Sequence, residues 1–198
     1  MTHKTMHLFA GAGGGLLADL LLGHRPTVAV EINQHCRESP AQRRRDGYLP
    51  DLEIHDDVTT FDGTPYRGID GVCAGFPCQD VSAAACPSRT QRGVDGHSTG
   101  LVWHAMRIIE QVQPRWVFLE NSPRLAGLGL DRILQSLADL GFDAEWTTLS
   151  AEACGAPHRR SRLWLLAAHP DRQGQHVLPE HAEVAQAPES SADAHRQR

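Results

Sequence analysis

The sequence predicts an α/β fold, a doubly wound sheet with helices on both faces, and three observations predict it. Apolar runs of strand length alternate with longer stretches whose apolar residues recur at helical spacing. The first run feeds a glycine cluster, Gly11-Ala12-Gly13-Gly14-Gly15, that leads straight into a helix-like stretch. Polar residues stand where successive runs end, at Glu31, Asp57, Cys78 and Glu120, and open α/β sheets gather their chemistry outside the carboxyl ends of strands. Alternation of this kind implies right-handed crossovers. With 198 residues the chain can form one domain with a substantial core.

The first strand is read at Thr5–Ala10. Leu16–Leu22 follows as a helix that Gly23 stops. Strand, glycine loop and helix make a place where backbone N–H groups approach a ligand closely. It is not the dinucleotide fingerprint, because Leu16 occupies the third glycine position. Thr27–Val30 is the next strand. It ends at Glu31, about 20 residues after the first glycine of the loop, where a carboxylate accepts hydrogen bonds from ribose hydroxyls. Asn33 to Arg45 is read as a helix whose basic end, Arg43-Arg44-Arg45, is an exposed helix terminus before it is a phosphate contact. Ile54–Thr59 is a short third strand, with Asp57 at the edge of the same crevice.

Ile69–Ala74 is a short buried strand delivering Gly75-Phe76-Pro77-Cys78-Gln79. Proline fixes its own φ and biases Phe76 towards an extended backbone, so the thiol of Cys78 sits on a constrained turn. Asp80 to His97 lacks either period and reads as a long loop. Arg89 and Arg92 make it cationic, as suits a lid over a nucleic-acid backbone. Leu101, Val102, Ala105, Ile108, Ile109 and Val112 share a helix face that ends before Pro114. Trp116–Leu119 is a buried strand delivering Glu120-Asn121-Ser122; a carboxylate there is costly to bury alone and suits general acid work. Asp131 is read as the cap of a helix with Ile133, Leu134, Leu137 and Leu140 on one face. Strands near Ala144–Leu149 and Leu163–Ala168 flank Arg160-Ser161-Arg162, whose two arginines alternate onto one face as anion holders. From His169 onward apolar periodicity is lost, and residues 169–198 are predicted to be a disordered or partner-dependent tail behind a catalytic domain at 1–168.

Composition bounds the function. An apolar fraction of 40% and a charged fraction of 22% are ordinary for a globular protein. No apolar run approaches the roughly 20 residues that span a bilayer, and Met1-Thr2-His3-Lys4 opens no signal peptide. Five cysteines without paired spacing predict a reducing, cytoplasmic setting, and no C-x-x-C pattern suggests a metal, so none is expected. A formal charge of −5 is unusual for a protein handling nucleic acid alone, though a local basic groove is compatible with it.

Taken in order, these residues resemble the DNA (cytosine-5) methyltransferases. Phe9-Ala10-Gly11-Ala12-Gly13-Gly14 is similar to the S-adenosylmethionine loop, Glu31-Ile32 to the ribose and adenine contacts, and Asp57-Val58 to the adenine-side acid and its neighbour. Gly75-Phe76-Pro77-Cys78-Gln79 resembles the nucleophile motif, Glu120-Asn121 the cytosine-holding motif and Arg160-Ser161-Arg162 the paired-arginine motif; Leu101 matches a cofactor-contacting position. The similarity runs from Met6 to Ala168. It implies a Rossmann-like, S-adenosylmethionine-dependent methyltransferase sheet. The implied cofactor contacts are Phe9, Ala10, Gly11, Gly13, Gly14, Glu31, Ile32, Asp57, Val58, Pro77 and Leu101. The implied substrate contacts are Phe76, Gln79, Asn121, Arg89 and Arg92.

The implied reaction explains the residue types. Cytosine C5 is too weak a nucleophile to take a methyl group from a sulfonium unaided. Addition of the Cys78 thiolate to C6 turns the ring into an enamine that can. Glu120 then holds N3 and the exocyclic amine, while Arg162, with Arg160, holds the base oxygen, the phosphate or Glu120 itself. The base must leave the double-stranded DNA to reach them. Ser122 stands where the family usually has Val, and His158 where it usually has Gln. After Ala168 no counterpart is expected for the target-recognition region or for the final segment that completes the cofactor pocket. The resemblance therefore implies a minimal, phage-like enzyme or one subunit of a split restriction-modification enzyme, in a prokaryotic or phage-infected cell. An inactive relic and an RNA-directed enzyme are the alternatives.

Overall fold

The computed structural model describes residues 2–78, 93–96 and 99–172. Its centre is a seven-stranded sheet in the order β3-β2-β1-β4-β5-β7-β6. The strands are β1 Lys4–Leu8, β2 Arg25–Val30, β3 Glu53–His55, β4 Gly71–Gly75, β5 Trp116–Asn121, β6 Asp143–Ser150 and β7 Ser161–Ala168. The first five run parallel, and β7 lies antiparallel to both β5 and β6. Order reverses at β1 and β4, the switch point that opens a crevice at the carboxyl ends.

Four helices pack against this sheet among the described residues: α1 Gly14–Leu21, α2 Gln34–Arg45, α3 Val102–Val112 and α4 Leu130–Asp139. Their placement follows from strand parity. Met6 and Leu8, Val72 and Ala74, Val117 and Leu119, and Leu163 and Leu165 are buried on one face, in one cluster with Val102, Ile108 and Ile109 of α3 and Ile133 and Leu137 of α4. Residues of opposite parity face α1. There Ala29 is buried with Leu16 of α1 and with Leu49 and Leu52 beyond α2.

Four differences from the sequence expectation have local causes. Alternation of strand and helix stops after α4: β6 and β7 form an antiparallel pair joined through a 3-10 turn at Glu152–Cys154. The third strand is three residues long, because Asp57 turns the chain by accepting bonds from Thr59 N and Oγ1 at 2.8 and 2.7 Å. Asp131 does not cap α4. Gly129, at φ 122°, occupies the cap position with no side-chain bond, and Asp131 lies in the first turn. Leu101 ends a 3-10 turn, Thr99–Leu101, just before α3 rather than lying inside the helix.

Contacts to the sheet continue past Ala168. His169 N donates to Arg115 O at 2.9 Å, and the Arg172 guanidinium lies 5.8 Å over the Phe142 ring. Residues 173–198 lie outside the described residues, as do Gln79, Arg89, Arg92 and most of the predicted Asp80–His97 loop. Within that loop Gly93–Asp95 forms a short turn, and Val94 is buried with its carbonyl accepting from Trp103 Nε1 at 3.1 Å.

Candidate functional site

The glycine loop begins in strain. Phe9 has φ 58°, a left-handed conformation that costs a non-glycine residue about 1–3 kcal/mol. Gly13, at φ 92°, takes the cap position of α1, so the helix starts with free N–H groups and no side chain over them. A Cβ added at Gly11 or Gly14 would meet nothing within 4 Å. The loop is an open cradle.

Glu31 braces this cradle. Its Oε2 accepts from Gly11 N and its Oε1 from Asn33 N, both at 2.8 Å. Arg37 of α2 donates to the carbonyls of Glu31 and Ile32 at 2.7 and 2.8 Å, fixing the turn that leaves the Ile32 side chain 74% exposed beside the crevice. Asp57 is half-buried, and the two Thr59 bonds hold its carboxyl below the usual carboxylate range. Val58 is buried, and its carbonyl accepts from Arg107 at 2.9 Å. Sequence reasoning passed over Arg37 and Arg107. The signal for Arg37 was its place one helical turn into α2, six residues after Glu31.

The second half of the site stands on β4, β5 and β7. Phe76 is buried, and its carbonyl accepts from Asn121 Nδ2 at 3.0 Å. Asn121 is itself 1% exposed, so this bond ties the turn bearing Pro77 and Cys78 to the end of β5. Cys78 packs half-buried at the margin of the core. Glu120 pairs across β5 and β7 with Trp164 and receives Arg162 Nε on its Oε1 at 2.7 Å. Arg162 is thus the partner that a carboxylate at this strand end requires. Gly75 makes room for it, since a Cβ there would come within 3.2 Å of Glu120 Oε2.

A groove of about 980 Å³ opens on the α1 face of the sheet. Glu120, Arg160 and Arg162 line one end and Phe9, Ala10 and Gly14 one wall. Its floor is apolar sheet, with Phe118 and Trp164 stacked at 5.3 Å. Glu31, Ile32, Asp57 and Cys78 lie outside the lining, so the groove adjoins the crevice rather than coinciding with it. Leu22, which lines it, is 70% exposed, and Leu17 and Leu21 of α1 are 58% and 83% exposed.

The sheet order and the crevice define a Rossmann-like methyltransferase fold. Solved structures share it. One is the Dnmt2 methyltransferase of S. pombe, with TM-score 0.65 and 18% identity over 87% of this chain and 52% of that one. Another is the Entamoeba histolytica methyltransferase EhMeth, with TM-score 0.68 and 16% identity over 91% and 57%. The model of the C-5 cytosine-specific DNA methylase family matches residues 3–196, and the chain belongs to that family. Among its relatives, the type II methyltransferase M.CviJI of Paramecium bursaria Chlorella virus IL3A is 34% identical over 181 residues, 90% of this chain. The type II methyltransferase M2.BsuMI of Bacillus subtilis is 31% identical over 173 residues, 83% of this chain. The chain spans about half the length of these relatives, 46% and 42%.

Proposed function

We propose that this chain carries the catalytic half of a DNA cytosine-5 methyltransferase, using S-adenosylmethionine, as a minimal enzyme or together with a further segment or chain that supplies target recognition. The observation that carries the reading is the Glu120–Arg162 ion pair, held beside the Cys78 turn at the carboxyl end of β5. The open cradle of Gly11 and Gly14, with Glu31 and Ile32 at its edge, fits an adenosine carrying a charged sulfur. When bound, S-adenosylmethionine supplies an electrophilic methyl group.

The chain's own residues do the rest. Phe9, Ala10 and Gly13 shape the loop, Glu31 accepts from ribose hydroxyls, and Asp57, Val58, Pro77 and Leu101 bound the adenine and methionine sides. Cys78 Sγ forms a bond to C6 of a cytosine flipped from double-stranded DNA, which makes C5 nucleophilic. Glu120 hydrogen-bonds N3 and the exocyclic amine, with Arg162 holding its carboxylate in place. Loss of the C5 proton to water after transfer expels Sγ and restores the ring. Asn121 positions the Cys78 turn through Phe76, and Arg160 lies beside the path of the phosphate. Gln79, Arg89 and Arg92 are assigned to the DNA side from the resemblance alone.

The groove supports such a segment. Its floor is apolar sheet and Leu22 at its margin is 70% exposed, a surface that globular proteins cover, and the relatives carry about as much sequence again. The test is transfer of labelled methyl from S-adenosylmethionine to unmodified mixed-sequence DNA. It is run with the chain alone, then with the unmatched half of a relative added in trans. Cys78-dependent transfer in either arm supports the reading. Transfer that survives Cys78→Ser, or none in both arms, overturns it.

A further inference from the structure

Beneath the glycine loop the sheet carries a cluster that methyl transfer does not use. His7 lies in β1, Cys73 stands opposite it in β4, and Asp19 reaches down from α1. One donor atom from each lies within 4.8 Å of the other two. His7 and Asp19 are only 5% and 4% exposed. His7 Nε2 is 2.6 Å from Asp19 Oδ2, which also accepts from Thr5 Oγ1, and His24 Nδ1 is 3.4 Å from Asp19 Oδ1.

We propose that His7, Asp19 and Cys73 bind a zinc-like divalent metal ion. Imidazole, carboxylate and thiolate together match zinc, whereas magnesium and calcium take oxygen ligands. Bonds of about 2.0–2.3 Å in a tetrahedral shell place donors roughly 3.3–3.8 Å apart. That spacing fits inside the observed spread, and the His7–Asp19 contact opens by about 1 Å to admit the ion.

The surroundings have the other features of a ligand set. Thr5 orients Asp19, and Thr27 Oγ1 in turn donates to Thr5 O at 2.9 Å. Gly15 makes room for the His7 ring, since a Cβ there would sit 2.8 Å from Nδ1. All three donors line the groove, which gives an entry path. The ion ties β1, β4 and α1 together under the glycine loop, and its role is structural. Sequence spacing pointed away from a metal because these ligands sit on separate elements that only the crossovers bring together.

The experiment is cobalt(II) titration of chelator-treated chain, followed by displacement with zinc. One equivalent should bind with a thiolate-to-cobalt charge-transfer band. Cys73→Ser should remove that band, whereas Cys36→Ser and Cys154→Ser should keep it. Thr5→Val should weaken zinc binding about tenfold while leaving the ligands intact. X-ray absorption of the zinc-loaded wild-type chain, which needs no variant to fold, should show one sulfur among nitrogen and oxygen ligands. No stoichiometric binding, a shell without sulfur, or a band that survives Cys73→Ser would overturn the proposal.

Discussion

In the proposed function Glu31 serves two purposes, bracing the loop and accepting from ribose, and they pull its substitution in opposite directions. Both carboxylate oxygens are engaged by backbone N–H groups of Gly11 and Asn33, so a ribose must share or displace those bonds. Glu31→Ala frees the loop but removes the acceptor and leaves two N–H groups unpaired. A hydrogen bond to a charged group contributes about 1.5–3 kcal/mol, so S-adenosylmethionine affinity should fall about 10- to 100-fold. Calorimetric titration checks it, and unchanged affinity removes Glu31 from the ribose. Glu31 and Glu120 were legible because a carboxylate at the end of an apolar run is conspicuous. Arg37 was not, since a cation on a polar helix looks like any solvated charge until its carbonyl partners are seen. Asp19 lies between. Burial alone would push its carboxyl up, but bonds from His7, Thr5 and His24, with the His7 charge, hold it below the usual range. Cys73 goes the other way, since burial, with the Asp19 charge adding to it, keeps its thiol protonated in the metal-free chain. An acid inside Leu16–Leu22 was the visible anomaly, and the histidine and thiol around it are brought together only by folding.

Elements set how firmly the reacting groups are held. The end of β5 grips the Cys78 turn through one buried bond, Asn121 to the Phe76 carbonyl, so Asn121→Ala should do two things. Leaving that buried carbonyl unpaired should lower stability by about 1–3 kcal/mol. Freeing the turn should lower kcat for methyl transfer with little change in S-adenosylmethionine affinity. A chemical denaturation curve and single-turnover kinetics read the two effects, and unaltered turnover would deny Asn121 its positioning role. At the opposite end of the sheet Asp70 joins β1 to the start of β5, accepting from Lys4 N at 2.8 Å and pairing with Arg115 at 3.2 Å. Burial pushes its carboxyl up, but the Lys4 bond, the Arg115 bond and the nearby His3 and Arg115 charges outweigh it and keep it below 3.8. A carboxyl lowered on folding contributes stability that is complete above its unfolded pKa and lost as pH falls through the folded one. The melting temperature should therefore drop below about pH 4, and Asp70→Asn should flatten that acid limb. The central strands were legible because short apolar runs bounded by glycine leave little choice. The antiparallel direction of β7 was not, since an alternating strand reads alike in either direction. The cap of α4 was missed because Gly129 works by backbone conformation, which no side chain advertises.

At the scale of the whole molecule the sheet is covered unequally. One face is sealed by α3 and α4, while the other is sealed by α1 only over β1 and β2, leaving Phe118, Trp164 and Leu166 to floor the groove. Phe9, Ala10 and Gly14 of the glycine loop line the same groove as Glu120 and Arg162. Any segment seated there would therefore touch the cofactor cradle and the reacting end of the sheet together. Its lining carries Arg160, with Arg115 and Arg162 already paired to Asp70 and Glu120, so the occupant that fits is largely apolar. Docking and cofactor binding would then be linked: a segment that completes the cradle must raise affinity for S-adenosylmethionine, and the cofactor must raise affinity for the segment by the same factor. This link can be measured with an environment-sensitive apolar dye and the Trp164 emission. The chain alone should bind the dye in the groove. The unmatched half of a relative should displace it, shift the tryptophan emission to the blue and tighten cofactor binding, and Leu22→Asp should weaken all three effects. Displacement without tighter cofactor binding would separate the groove from the cradle. Failure to displace the dye would mean that this face is not where the added half docks.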